Sequence, residues 1–196
     1  MSKIGSDEFD ARFLNQLMRH LHQAYENKDE LLRKEFDRSL PFQDGFFDRW
    51  ERAKRLGFAD GASIYNSSLV FGDLSVGKDT WIGPYTILDA SGGKITIGET
   101  CSVSAGVHIY THDTVLWAIS GGEKNHKFGS VTIGDCNYIG SQSIINLGSK
   151  IGSHCVIAAN SFVNGNIDDF SIVGGTPAKK IGKVLMQGSK INLIYD

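Results

Sequence analysis

Six histidines are spread unevenly along the 196 residues, and one of them stands where chemistry could be done. His112 follows Ile109-Tyr110-Thr111 and opens a polar, glycine-containing run that carries Trp117, Ser120, Gly121, Gly122, Lys124 and His126. An imidazole titrates near neutrality, so it can take a proton from a hydroxyl during attack and return one to a leaving group. His108, four residues earlier, is the rival for that role. His20 and His22 fall in a helical stretch and His154 on a distant turn, and these three are expected to be uninvolved. No Gly-x-Ser-x-Gly elbow is present, so nothing points to a serine acyl-enzyme of that kind. The residues alone leave His112 open between a general base and a solvated loop histidine.

What must position His112 is written in a period of six. Ile64, Val70, Val76, Ile82 and Leu88 recur at that interval; after an insertion around Ser91-Gly92-Gly93 come Ile97, Val103 and Ile109; after a longer one come Ile133, Ile139, Ile145, Ile151, Ile157 and Val163. Six is neither the helical period nor strict alternation, and it predicts a short strand and a turn, repeated. A small or modest residue sits two places before the aliphatic, at Ser68, Thr80, Thr86, Cys101, Ser143, Ser149, Cys155 and Ser161. Three such hexads close a triangular coil, with the aliphatic filling each side and the small residue near a corner. Glycine follows the aliphatic at Gly77, Gly83, Gly98, Gly134, Gly140 and Gly152, which suggests relief of the backbone on approach to a turn. Stacked coils cover one another's apolar edges. An ordinary β-sandwich would show alternation and irregular spacing instead.

Upstream the period is helical. Phe9, Phe13, Leu14, Leu17, Met18, Leu21, Ala24 and Tyr25 form one stripe, with Ser6 as N-cap and the acids Asp7 and Glu8 in the first turn. Leu31, Leu32 and Phe36 suggest a second short helix. Pro41 and Gly45 break the pattern, and Phe46, Phe47, Trp50, Ala53 and Leu56 restore it up to Gly57. The expected organisation is a helical segment over 1–60, the repeat domain over 61–178 with a long loop at 112–130, and a tail over 179–196.

Composition excludes several classes. A net charge of −2 gives no electrostatic case for nucleic acid. No apolar signal core follows Met1 and no stretch approaches a membrane span. Three cysteines at uneven spacing do not make a disulfide framework. A cytoplasmic setting fits. Cys101 and Cys155 are expected to be buried packing residues, and Cys136 is undecided.

At this point the chain resembles a known group. The frame from Ile64 to Val163 resembles the hexapeptide-repeat acyltransferases. The stretch from Ser104 to Lys179 resembles their galactoside and maltose O-acetyltransferase type, through Ile109-Tyr110-Thr111-His112-Asp113, Ile133-Gly134-Asp135, Tyr138-Ile139-Gly140-Ser141, Ile157-Ala158-Ala159-Asn160-Ser161 and Gly174-Gly175-Thr176-Pro177-Ala178-Lys179. The resemblance covers about two thirds of the chain. It implies a mainly β fold, a left-handed parallel β-helix behind the N-terminal α-helical segment, and a homotrimer with three sites at its interfaces. It also implies acetyl-CoA as donor and a small sugar-like acceptor whose hydroxyl is acetylated by direct attack.

The resemblance further implies roles. His112 would be the base and Ser141 would supply an oxyanion donor. Tyr85 and Asp89 would meet the acceptor. From the residues themselves, His108 is a substrate contact or a plain surface residue, and Trp117 stacks on a sugar or packs the loop onto a neighbouring subunit. Asp113, Asp89 or a backbone carbonyl orients His112, Asp113 being adjacent in a chain whose neighbouring side chains point apart. Tyr138, Ser141, Ala159, Asn164 and Lys179 would line the CoA groove. Gly165 stands where the family commonly has lysine, and Asp168-Asp169 where it commonly has Pro-Pro; the first removes one phosphate contact.

Three other readings remain. The same fold carries N-acyltransferases of nucleotide-linked amino sugars. A γ-carbonic-anhydrase-like enzyme would need three histidines converging on zinc, for which His108, His112 and His126 are numerically available; their spacing argues against it and no metal is expected. A non-catalytic interaction module would need neither the loop histidine nor the Gly-Thr-Pro-Ala-Lys segment.

Overall fold

The computed structural model describes residues 11–188 and 190–196. The expected cap at Ser6, the acids Asp7 and Glu8, and the stripe's first member, Phe9, lie outside them. The chain divides into two compact units, Met1–Phe47 and Asp48–Asp196.

In the first unit a single helix, α1 (Ala11–Phe36), replaces the expected pair. Nothing between Tyr25 and Leu31 breaks it, since Glu26, Asn27, Lys28, Asp29 and Glu30 include neither glycine nor proline. None of its residues is buried, and Phe13, Leu14, Leu17 and Met18 face outward to solvent in the single chain. A short helix, α2 (Phe42–Phe46), packs back on α1: Tyr25 stacks obliquely on Phe42 and its hydroxyl donates to the Leu40 carbonyl at 2.9 Å. Gly45 does not break this helix but lies buried within it, close under Leu32.

The second unit is a left-handed parallel β-helix of about six turns. Its strand pairings resolve into three faces. Face 1 stacks Ile64, Ile82, Val103, Ile139, Ile157 and Val173. Face 2 stacks Val70, Leu88, Ile109, Ile145 and Val163. Face 3 stacks Val76, Ile97, Ile133, Ile151 and Ile167. Every aliphatic of the period-six frame is buried except Val70, which is partly so. Each contributes about 1.5–3 kcal/mol relative to exposure.

The small residues before them are buried too, and their hydroxyls tie coil to coil. Ser68 donates to the Gly83 carbonyl at 2.8 Å, Thr80 to Gly98 at 2.7 Å and Ser143 to Ala158 at 2.9 Å. Cys101 and Cys155 occupy the same rungs, and burial pushes both thiols up from their ordinary range.

The glycines after the aliphatics have a different cause from the one expected. None has a positive φ. A Cβ at Gly83 would meet the next coil's backbone at 2.8 Å, and one at Gly134 the Ser153 hydroxyl at 2.6 Å. They permit close stacking. The left-handed turn residue comes two positions later, at Asp79, Tyr85, Thr100, Cys136, Gln142, His154 and Asn160, with glycine there only at Gly106 and Gly148.

Both ends of the coil are covered. At the start, α3 (Arg49–Arg55) is capped by Asp48, whose carboxylate accepts from the Trp50 and Glu51 amides at 2.8 Å. Its Arg52 donates to the carbonyls of Tyr65 and Ser68, and Ala53 joins the core. At the other end the expected tail is two strands, Lys179–Gln187 and Lys190–Tyr195, that continue face 1 as an antiparallel hairpin from Ser171–Gly174. Alternation at Ile191, Leu193 and Tyr195 was the available signal. Among the described residues no helix is long and apolar enough to cross a membrane.

Candidate functional site

All the inserted residues leave the coil at one corner, between faces 2 and 3. In the second coil Ser91-Gly92-Gly93 occupies this corner inside the long strand Ile87–Ile97. In the third coil the corner opens into the loop that starts at Thr111. The loop is closed at its neck. Gly129 donates to the Thr111 carbonyl at 2.8 Å, and His112–Asp113 pairs antiparallel with Lys127–Phe128. Thr111, fully buried, ties this neck to the coil below: its amide and hydroxyl both donate to the Asp89 carbonyl, at 3.1 and 2.8 Å. Within the loop the short helix α4 (Val115–Ile119) begins where Asp113 accepts from the Val115 amide at 3.0 Å.

His112 is therefore held by backbone on both sides, with about a third of its side chain exposed (29%). Its Nδ1 lies 3.3 Å from the Ser91 hydroxyl and 3.9 Å from an Asp89 carboxylate oxygen. Ser91 in turn donates to that same oxygen at 2.5 Å. Asp113 is committed to the loop helix and does not orient the ring. Ser91 was passed over in the sequence as part of an insertion; a hydroxyl two residues after Asp89, in the coil below a loop histidine, was its only signal.

The other candidate residues are dispersed. His108 projects outward from face 2, half-buried, with Nδ1 3.3 Å from the Tyr110 hydroxyl. Tyr85, exposed, and Ser141 and Ala159 lie on turns along the opposite edge of face 2, where it meets face 1. Within one chain these three are separated from His112 by the width of face 2. Asn164 lies on the outer side of face 2 and accepts from the Asn146 amide at 3.3 Å. Trp117 packs edge-on against His126, which meets Phe128 in the same way, so these exposed rings contact one another across the loop. Tyr138 is on the outer side of face 1, in an apolar groove of about 320 Å³ with Cys136, His154 and the hairpin residues Val184, Met186 and Leu193. Lys179 is exposed at the start of the terminal hairpin. Among the described residues no three His, Cys, Asp or Glu side chains converge as metal ligands, and His108, His112 and His126 do not meet within the chain.

No family profile matches the chain. It is similar to a chloramphenicol acetyltransferase from Klebsiella aerogenes, 44% identical over 57 residues, covering 29% of this chain and 27% of that protein. It is also similar to one from Morganella morganii, 31% identical over 111 residues, covering 46% and 51%. The chain thus spans about a quarter to a half of the length of these curated relatives. Among solved structures, a hexapeptide-repeat-containing acetyltransferase from Vibrio cholerae O1 biovar eltor, complexed with acetyl coenzyme A, superposes with a TM-score of 0.63 at 25% identity, covering 90% of this chain and 91% of that one. In its hexad frame and in these likenesses, the chain is similar to hexapeptide-repeat acetyltransferases.

Proposed function

We propose that this protein transfers an acetyl group from acetyl-CoA to a hydroxyl of a small, sugar-like acceptor, with His112 as general base. The observation that carries the reading is the placement of His112. It is about a third exposed and backbone-anchored on both sides at the neck of the ejected loop, with an acidic group behind Nδ1 and Nε2 left for a substrate. In this mechanism Nε2 takes the acceptor's hydroxyl proton as its oxygen attacks the thioester carbonyl. The tetrahedral oxyanion collapses, the carbon–sulfur bond breaks, and the imidazolium returns the proton to the CoA thiolate. No acyl-enzyme is required. The names of the relatives, and the acetyl-CoA in the Vibrio cholerae complex, support the donor.

The reading includes a homotrimer. Tyr85, Ser141 and Ala159 line one edge of face 2 while His112 and Asp89 lie at the other. A ring of copies would bring the first edge of one chain against the second edge of the next. The Ser141 amide is then the oxyanion donor, and Ala159, Asn164, Tyr138 and Lys179 flank the donor's path.

Thiol release from acetyl-CoA, measured against sugars, amino sugars, nucleotide sugars and chloramphenicol, tests the proposal. Turnover with a hydroxyl acceptor is expected. Turnover confined to amines would move the chemistry to N-acylation. A protein whose melting point ignores millimolar CoA and acetyl-CoA would be a non-catalytic member of the fold.

A further inference from the structure

A serine hydroxyl carries one proton, and in this structure that proton has a committed destination. Ser91 Oγ lies 2.5 Å from Asp89 Oδ1, and the Ser91 amide donates to the same oxygen at 3.1 Å. A carboxylate only accepts, so the hydroxyl hydrogen points at Asp89. The ring nitrogen 3.3 Å away on the other side of the hydroxyl, His112 Nδ1, meets a lone pair. We infer that Ser91 is a positioning residue that fixes His112 as the Nδ1–H tautomer, leaving Nε2 bare and able to accept a proton.

The inference rests on the proposed role of His112 as base, since only then does the tautomer matter to rate. Its geometric basis stands apart from that role. The three-residue insertion is what makes the contact possible. In the first coil Gly72 stands at this corner with no hydroxyl near the ring, whereas the second coil lifts Ser91 to the level of the third coil's histidine. Gly92 and Thr111 lock the lift, the Gly92 amide donating to Thr111 Oγ1 at 3.0 Å. Asp89 then has two functions. It orients Ser91 by accepting its proton, and it places a carboxylate oxygen 3.9 Å from Nδ1, on the side of the ring away from Nε2. The other titratable groups near the ring are Tyr110, whose hydroxyl is occupied with His108, Asp113, turned to the loop helix, and Lys127, across the neck from Asp113. None offers Nδ1 a competing acceptor among the hydrogen bonds of the described residues.

Long-range proton–nitrogen NMR of the ¹⁵N-histidine-labelled full-length protein tests this directly, because it separates a protonated ring nitrogen from a bare one without any turnover. The His112 signals are identified by their loss in His112→Gln. The neutral ring should carry its proton on Nδ1. In Ser91→Ala the two tautomers should mix, and kcat should fall about tenfold or more as the base-competent form is lost. Ser91→Thr, which keeps the hydroxyl, should restore both. Asp89→Asn, which no longer requires the serine proton, should mix the tautomers as well, and serves if Ser91→Ala does not fold. A proton on Nε2 in the native chain, or a tautomer unchanged in both Ser91→Ala and Asp89→Asn, overturns the inference. If the tautomer is locked as described and no acceptor in the panel is acetylated, the relay stands and the proposed reaction falls.

Discussion

A Cβ on Gly92 would lie 2.6 Å from the Cβ of His112, so the histidine of the third coil occupies space that a side chain in the second would need. Gly92→Ala should therefore push the ring off its seat over Ser91. The expected effect is a kcat lower by up to about a hundredfold, the scale of a misplacement near 1 Å, with acetyl-CoA affinity little changed. Steady-state kinetics against both substrates would register it. Unchanged turnover would mean the ring's position is not critical.

His112→Ala should lower kcat by about a hundredfold or more, the range for removing positioned proton transfer. The acid limb of the native pH–rate profile, where a protonated imidazole cannot act as base, should disappear with it. His108→Ala is the control: it should mainly raise KM for the acceptor. Were His108→Ala to abolish turnover and His112→Ala to leave it within about threefold, the base would be His108.

The interior carries its own test at Asn137. This buried amide donates to the Gly134 and Gly152 carbonyls at 2.8 and 2.7 Å and accepts from the Cys155 amide at 2.7 Å, joining two successive coils. Alanine leaves a buried N–H and two carbonyls short of a partner. Stability should fall by about 2–4 kcal/mol, several such groups at 1–3 each, read as a shift in the urea midpoint. A shift below about 0.5 kcal/mol, the size of an ordinary surface substitution, would mean that water or relaxation replaces the amide.

Thiol titration separates the three cysteines. Cys136 is exposed on a turn, while Cys101 and Cys155 are buried with their thiols pushed up by desolvation. A raised thiol holds less thiolate at a given pH, and the thiolate is what reacts. One equivalent should react quickly near pH 8 in the native protein and three in denaturant. Fast reaction of all three in the native state would contradict the packing.

Much of the β-helix could be read from the sequence because its interior repeats one environment at a fixed interval. Ile64 through Val163 answer to a single geometric demand, and the small residues before them to another. The rest was hidden by contacts between residues far apart in sequence. The glycines after the aliphatics looked like turn residues, because sequence does not reveal how near the next coil's backbone comes. The terminal hairpin looked like a tail, because its partner is face 1 rather than a neighbouring repeat. At the site, His112 and Asp89 were visible individually. Ser91 was not, since its meaning depends on an insertion in one coil reaching the height of a loop in the next. The separation of Ser141 from His112 by a whole face was equally invisible, because hexad positions give no sense of which edge a turn occupies.

The corner between faces 2 and 3 has a consequence for how such a protein can diversify. A solenoid keeps its register by counting faces, and residues added at a corner change no face. The second coil adds three residues there and the third a whole loop, yet Leu88 still stacks under Ile109 and Ile97 under Ile133. Selection can therefore lengthen, shorten or rewrite this one terrace, and with it the surroundings of His112, while the fold's stability stays where it was. Under the proposed reaction, acceptor choice becomes a property of the terrace, free to drift at a rate that the packed interior does not share.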